Sequence, residues 1–306
     1  MSSLYYDVAA VKEAITGIVP SFSTSFLENG ELDWAGIERN VEFLLKAGAK
    51  TILLTQGDSL LTILRDQEVL ELTKFVVEKT NHRAMVIGCG KQWCLPQSLE
   101  FAEACARAGC DVVIPVPPDW AQHSRAEYLL EYYRAVAKIM PVMALTNLLN
   151  GRGVPLEVFE QIEPGSGIVA LKDDAPPPYG RRVGSIARDK MAYLQGGTME
   201  GFLDVAPYGA DGYLPIYFRA FPEIDKGFWK AYTEGRIREA ISFIDRYEVP
   251  FDRWCAENQA NFDAAIRGMM EIAGIAKRYT RKPYSHLSDG QMDSLKQFLS
   301  DKGILK

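Results

Sequence analysis

The chain has 306 residues, of which 47% are hydrophobic and 24% are charged, as is typical of a soluble globular protein. The formal net charge of −6 argues against nucleic acid and against an anionic membrane surface as partners. No apolar run reaches the ~18 residues that a membrane span requires. Met1–Lys12 lacks a basic segment followed by an apolar stretch, so we expect no signal peptide.

Short apolar runs alternate along the chain with helix-length segments that carry apolar residues at three- and four-residue spacing. The runs predict eight strands, at Gly17–Phe22, Thr51–Thr55, Met85–Gly88, Asp111–Val116, Val142–Asn147, Gly167–Leu171, Met191–Gln195 and Gly212–Ile216. Among the intervening segments, the spacing predicts helices at Asp33–Ala47, Asp66–Lys79 and Pro96–Ala108. Gly48, Gly109 and Gly209 stand just before a strand, where we expect a left-handed residue to end the helix.

This alternation predicts the fold class. Strands separated by helices form parallel sheets, and eight such units predict an α/β protein with a closed (β/α)8 TIM barrel. The alternative is a doubly wound dinucleotide-binding fold, which needs a Gly-x-Gly-x-x-Gly turn after an early strand. The nearest match, Gly88-Cys-Gly90, lacks the third glycine.

After Pro222 the predicted strands stop, and the apolar spacing predicts helices only. These lie at Phe228–Thr233, Arg236–Tyr247, Asn258–Ile272 and Gln291–Ser300. We therefore expect two domains, a (β/α)8 barrel over residues 1–222 and a C-terminal helical domain over residues 223–306. The second domain would pack on the barrel or on a neighbouring subunit.

Lys172 ends the apolar run Gly167-Ile-Val-Ala-Leu, which predicts a buried strand. Poor solvation at such a place favours the neutral amine, which is a nucleophile toward a carbonyl and forms a Schiff base with it. The same pattern also fits a lysine whose side chain extends from the strand end into solvent.

Other polar groups follow the remaining strands, and in a barrel the chemistry lies at these carboxyl ends. Thr55 and Gln56, with the amide of Gly57, would suit either a bound carboxylate or the start of a helix. Asp173 and Asp174 would suit either an acid–base pair or solvated acids. The remaining substrate-binding candidates are Asn147, Arg152, Gly196 and Tyr217.

Neither the histidines nor the cysteines have the spacing of a metal site. His82, His123 and His286 fall in or next to connections between elements, and the five cysteines lack paired Cys-x-x-Cys or histidine partners. We therefore expect no metal and no cofactor. Core-like free thiols in a chain of this length indicate a reducing compartment, the cytoplasm.

The order of several short segments resembles the dihydrodipicolinate synthase / N-acetylneuraminate lyase family of class I aldolases. The segments are Gly17-Ile-Val-Pro-Ser-Phe, Leu54-Thr-Gln-Gly-Asp58, Gly167-Ile-Val-Ala-Leu-Lys172-Asp and Leu287-Ser-Asp-Gly-Gln. The resemblance implies a TIM barrel with a C-terminal helical domain, usually as a homotetramer. It implies that Lys172 forms an imine with pyruvate or a related 2-oxo acid, and that Thr55 and Gln56 lie where the family binds the carboxylate.

The chain also departs from the family pattern. Ala144-Leu-Thr-Asn147 replaces the segment that carries the family's proton-relay tyrosine, and Val116-Pro-Pro118 replaces the tyrosine pair of the synthases. Arg152 resembles the arginine that holds the second substrate, with the spacing off by one residue. We therefore expect dihydrodipicolinate synthesis to be weak or absent. Tyr217, Thr146, Asp173 or a bound water are the candidates for the missing base.

The leading hypothesis is thus a Schiff-base lyase, an aldolase or dehydratase, that acts at Lys172 on a small 2-oxo acid or sugar acid. The alternative is a family member that only binds a 2-oxo acid, its catalysis lost or altered. A metal-dependent aldolase on the same barrel would need a carboxylate and histidine cluster. We expect a homo-oligomer, either a dimer or a tetramer.

Overall fold

Eight parallel strands form one sheet in the computed structural model, which describes residues 7–118, 125–146 and 153–305. They are β1 (Gly17–Ile18), β2 (Thr51–Leu53), β3 (Met85–Gln92), β4 (Val112–Val116), β5 (Val142–Leu145), β6 (Ile168–Asp173), β7 (Ala192–Gln195) and β8 (Gly212–Tyr213). The order across the sheet is β1-β8-β7-β6-β5-β4-β3-β2. All eight predicted strands are therefore present.

The chain that follows β1 closes this sheet into a barrel. Ser21 bridges Leu53 in parallel, and the amide of Phe22 donates to the Leu53 carbonyl at 2.7 Å. On its other side β1 pairs with β8, where Gly17 stands opposite Gly212. Because each strand then has a neighbour on both sides, the sheet has no open edge. The predicted (β/α)8 barrel is confirmed.

The dinucleotide-binding alternative is wrong, because Gly88 and Gly90 lie inside β3 rather than in a turn. A Cβ at Gly88 would come within 3.1 Å of the Cys110 sulfur, and one at Gly90 would come within 3.3 Å of the Trp93 ring. The glycines leave room for these side chains, and β3 continues to Gln92, beyond the predicted end at Gly88.

Helices cover the outside of the barrel. They are α1 (Val8–Ile15), α2 (Trp34–Lys46), α3 (Asp66–Thr80), α4 (Leu95–Ala108), α5 (Ala126–Ala137), α6 (Leu156–Glu160), α7 (Pro177–Ala187) and α8 (Met199–Val205). Gly48, Gly109 and Gly209 have φ angles of 92°, 84° and 111°, so the predicted left-handed residues stand where helices end. Among the described residues, no helix is long and apolar enough to cross a membrane.

The chain beyond residue 222 is helical, as predicted. Its helices are α9 (Glu223–Thr233), α10 (Ile237–Phe243), α11 (Val249–Glu257), α12 (Phe262–Ile272) and α13 (Asp289–Asp301). Where a single helix was predicted at Arg236–Tyr247, the structure has α10 followed by a π-helical turn, Ile244–Glu248. The next helix, α11, was not predicted, and it carries Pro250 in its first turn. The domain division at residue 222 stays a prediction, because Phe202 and Tyr213 of the barrel pack in the same apolar cluster as these helices.

Two carboxyl groups are buried where these helices meet the barrel. Asp225 of α9 accepts a hydrogen bond from the Tyr213 hydroxyl of β8 at 2.9 Å. Glu248 accepts from the backbone amides of Met199 at 2.6 Å and Glu200 at 3.0 Å, at the start of α8. Burial raises the pKa of both carboxyls to about 7, against an ordinary value of about 4. The folded state therefore holds protons that the unfolded state releases.

We predict that the free energy of unfolding falls as the pH rises from about 4 to about 7. The stabilisation is complete below the unfolded pKa and is lost as the pH passes through the raised folded pKa, at up to about 1.4 kcal/mol per pH unit for each group. Asp225→Asn keeps an acceptor for Tyr213 and removes the titration, so it should flatten this fall. Urea unfolding across this pH range measures it.

The exposed Asp189→Asn variant is the matched control and should leave the pH dependence unchanged. If Asp225→Asn and Asp189→Asn lose stability with pH as steeply as the unsubstituted protein, Asp225 does not titrate in this range.

Candidate active site

A cavity of about 290 Å³ opens at the carboxyl ends of six strands, β2 to β7. Parallel strands in a barrel bring these ends to one rim, so residues far apart in sequence meet there. The lining consists of Thr55, Gln56, Gly57, Asp58, Cys89, Gln92, Ile114, Val116, Pro117, Leu145, Lys172, Asp174 and Gly196. Four of the predicted site residues are among them, namely Lys172, Thr55, Gln56 and Gly196.

Lys172 lies in β6, between Leu145 of β5 and Leu194 of β7. Its side chain is only 7% exposed, and Nζ forms an ion pair with Oδ1 of Asp174. The alternative interpretation required the side chain of Lys172 to extend into solvent, and the structure shows that it does not. Its amine lies at the wall of the cavity, in reach of a small bound carbonyl compound.

Asp174 owes its position to a glycine on the neighbouring strand. A Cβ at Gly196 would lie 1.7 Å from Oδ1 of Asp174 and 2.7 Å from the carbonyl oxygen of Asp173, so a side chain there would displace the Asp174 carboxylate. The Gly196 amide also donates to the carbonyl of Asp173 at 2.6 Å, which holds the ends of β6 and β7 together. The carboxylate of Asp174 thus occupies the space that any side chain at position 196 would fill.

A second ion pair lies beside the first. Arg219, whose side chain is 3% exposed, places Nη1 3.1 Å from Oδ1 of Asp58. Burial acts to raise the pKa of Asp58, but the nearby charges of Arg219 and Lys172 help to lower it below its ordinary value. Arg267 donates to the backbone carbonyl of Asp58 at 3.1 Å. Asp58 is therefore an anion whose charge is paired with that of Arg219.

Thr55 and Gln56 begin a tight turn after β2. The Thr55 amide donates to the Ser59 hydroxyl at 3.0 Å, and the Thr55 hydroxyl accepts from the Asp58 amide at 3.1 Å. No helix begins at Thr55, so the helix-start interpretation is not what the structure shows. Since the hydroxyl accepts in this turn, its own proton is available to a ligand. A Cβ at Gly57 would meet nothing within 4 Å, so the backbone there is open to the cavity.

Of the other three predicted site residues, the structure describes only Tyr217. Asn147 and Arg152 are outside the described residues. Tyr217 is buried, and its hydroxyl donates to the carbonyl of Tyr247 at 3.0 Å, so it faces the C-terminal helices rather than the cavity. This differs from the substrate-binding position predicted for it, and the reason is that the chain turns away after β8.

The carboxylate of Asp173 and the groups around it form hydrogen bonds with one another. Oδ1 of Asp173 accepts from the Thr146 hydroxyl at 2.5 Å and from the Ala175 amide at 3.0 Å, and Oδ2 accepts from the Tyr193 hydroxyl at 2.7 Å. Burial raises the pKa of Asp173. Alternation along a strand turns Asp173 away from the side that Lys172 faces, so it is neither a solvated acid nor in contact with the lysine amine.

The wall formed by β4 and β5 is apolar, with Ile114, Val116, Pro117 and Leu145 facing the cavity. Cys89 also lines it, and burial raises the pKa of its thiol to about 12, so the sulfur is a poor nucleophile. Within the described parts of the chain, no group of three or more histidine, cysteine, aspartate or glutamate residues could hold a metal ion.

Sequence reasoning did not assign Asp58, Arg219, Cys89 or Gln92 to the site, and it did not pair Asp174 with Lys172. Arg219 follows two aromatic residues in a segment without a motif, and Gln92 was expected beyond the end of its strand. For Asp174 a signal did exist, because a carboxylate two residues beyond a buried lysine is a candidate ion-pair partner.

Known proteins resemble this chain over at least nine-tenths of its length. A 4-hydroxy-tetrahydrodipicolinate synthase of Acetivibrio thermocellus is 20% identical and covers 96% of this chain and 99% of its own length. A probable 5-dehydro-4-deoxyglucarate dehydratase of Bacillus subtilis is 22% identical, with 90% of each chain covered.

Solved structures share the fold. The dihydrodipicolinate synthase of Oceanobacillus iheyensis superposes with a TM-score of 0.86 at 22% identity, over 98% of this chain and 100% of that one. A prophage protein of the dihydrodipicolinic acid synthase family from E. coli K12, solved in complex with pyruvate, gives a TM-score of 0.82 at 19% identity, over 95% and 99% of the two chains. The profile of the dihydrodipicolinate synthetase family matches residues 14–302, and the chain belongs to that family.

Proposed function

We propose that the protein is a Schiff-base-forming lyase, an aldolase or dehydratase, that acts on pyruvate or a related 2-oxo acid or sugar acid. The observation that carries the proposal is the position of Lys172, a buried amine at the wall of a cavity at the carboxyl ends of the barrel strands. Membership of the family and the pyruvate complex of one relative support it. The cavity volume of about 290 Å³ suits a small substrate.

In this reaction Nζ of Lys172 attacks the 2-oxo carbon, water leaves, and an iminium ion remains. The iminium withdraws electrons from the neighbouring carbon, so that a proton or a carbon substituent there can leave while an enamine forms. Thr55 and Gln56, with the open backbone at Gly57, would hold the substrate carboxylate by hydrogen bonds. They follow β2, which is separated from β6 by β3, β4 and β5 in the sheet.

We also propose a cytoplasmic location and a homo-oligomer, a dimer or tetramer. The five cysteines are free thiols, four of them buried, which fits a reducing compartment. The oligomer rests on family membership alone. Light scattering on the purified protein would measure its mass in solution.

Treatment with pyruvate and borohydride should attach a reduced three-carbon adduct to Lys172, because borohydride reduces an imine to a stable amine. Peptide mass spectrometry after digestion locates the adduct. Lys172→Arg should abolish it. Lys91→Arg is the matched control, because Lys91 pairs with Asp66 at 2.9 Å outside the cavity lining, and it should leave the adduct in place.

An adduct on other peptides, or on none, would contradict the proposal. A protein that traps pyruvate at Lys172 but releases no product from any 2-oxo-3-deoxy sugar acid would instead be the binding-only family member.

Dihydrodipicolinate synthesis should be slow in this protein. Val116, Pro117 and Leu145 line the cavity, and Thr146 is bonded to Asp173, so the family's tyrosine hydroxyls have no replacement at these positions. Losing general acid–base help costs typically ~10²–10⁴-fold in rate. The assay supplies pyruvate and aspartate semialdehyde and follows product formation through a coupling enzyme, the reductase that acts on the product. Turnover within the ordinary range of about 1–10³ per second would show the expectation to be wrong.

Thr55→Val should weaken the binding of pyruvate roughly ten- to a hundredfold, because a hydrogen bond to a charged group contributes about 1.5–3 kcal/mol. The substitution keeps the shape of the side chain and removes its hydroxyl. Calorimetric titration of a Lys172→Arg background measures the affinity without imine formation. Thr62→Val, in an exposed hydroxyl contact away from the cavity, is the control. Equal affinity in Thr55→Val would place the carboxylate elsewhere.

A further inference from the structure

The ion pair between Lys172 and Asp174 poses a chemical question for the proposed reaction. An amine attacks a carbonyl only when it is neutral, and an ammonium held by a carboxylate must first lose a proton. Asp174 Oδ1 is in direct contact with Nζ, and its side chain is 26% exposed against 7% for the lysine. The carboxylate can therefore take the proton from Nζ and also exchange protons with water in the cavity.

Other groups near the lysine are committed to other partners. Asp58 is paired with Arg219 at 3.1 Å, and its pKa lies below the ordinary value, which makes it a weak base. Asp173 uses both oxygens for bonds inside the protein, as described above. The thiol of Cys89 stays protonated, with a pKa raised to about 12 by burial.

The fold keeps space for this carboxylate. The end of β7 carries Gly196, and a Cβ there would overlap Oδ1 of Asp174 at 1.7 Å. The backbone bond from the Gly196 amide to the Asp173 carbonyl fixes the distance between the two strand ends. The ends of two adjacent barrel strands, β6 and β7, therefore determine the position of the carboxylate beside the amine.

We infer that Asp174 is the catalytic acid–base group of this site, in the place of the missing tyrosine relay. The inference rests on the proposed function of Lys172. Asp174 takes one proton from the Nζ ammonium, and the neutral amine adds to the 2-oxo carbon as the carbonyl π bond breaks. The adduct's nitrogen proton moves to its oxygen, and Asp174 then returns its proton to that hydroxyl.

The C–O bond breaks, and water departs. The nitrogen lone pair forms the C=N bond of the iminium. The balance is one ammonium and one carbonyl consumed, one iminium and one water formed, and Asp174 left as a carboxylate. From this position it can also accept a proton from the carbon next to the imine.

The test compares rates of imine formation with pyruvate, measured by borohydride trapping at increasing times. Asp174→Asn keeps the size of the side chain and cannot carry the proton, so trapping at Lys172 should slow by ~10²–10⁴-fold. Exchange of the pyruvate methyl protons with deuterated water, followed by NMR, should slow as well. Asp66→Asn removes the acid of the Lys91 pair, outside the cavity lining, and is the matched control.

Chemical rescue distinguishes catalysis from a structural role. Formate added to Asp174→Ala should restore part of the rate in proportion to its concentration, with no effect on the unsubstituted protein. A carboxylate needed only for folding would not be replaced in this way. Should Asp174→Asn fail to fold, Asp174→Ser is measured instead, and the same fall in rate is required.

Two failures have different meanings. If the unsubstituted protein gives no adduct at Lys172, the proposed function fails. If it traps pyruvate and Asp174→Asn traps at an equal or higher rate, Asp174 only neutralises the lysine charge, and this inference is overturned.

Discussion

An ammonium taken out of water costs several kcal/mol unless an anion lies close to it, and the site is organised around Lys172 for that reason. Asp174 supplies the contact, and Gly196 on the next strand leaves room for it. Asp58 is also near Lys172, but its carboxylate forms an ion pair with Arg219. The amine therefore has in contact with it a carboxylate that can accept a proton from Nζ when a carbonyl compound binds.

The barrel is what brings these groups together. Lys172 comes from β6, Gly196 follows β7, and Thr55 follows β2, three points that parallel pairing places on one rim. The bridge of Ser21 to Leu53 closes the sheet between β1 and β2. Because the strands lie in fixed register, the distances at the rim are set by the backbone, and a bound 2-oxo acid would meet an amine already in place.

Much of the fold could be predicted from the sequence. A parallel strand that is buried on both faces appears as a run of apolar residues, and a helix with one buried face appears as apolar residues at three- and four-residue spacing. What could not be predicted depended on contacts distant in sequence. The first glycine of β3, Gly88, suggests a turn until the sulfur of Cys110 is seen to pack against it. Lys172 could be chosen from its strand, and Asp174 could have been paired with it from its spacing of two residues. The space that Gly196 of the neighbouring strand leaves for this carboxylate could not be predicted.

A crystal structure of the protein soaked with pyruvate would show whether Lys172 forms the imine. We expect continuous electron density from Nζ of Lys172 to the 2-oxo carbon, with the pyruvate carboxylate against Thr55 and Gln56 and the carboxylate of Asp174 beside the new C–N bond. Pyruvate bound away from Lys172, or bound in the cavity without a covalent link to the amine, would contradict this expectation.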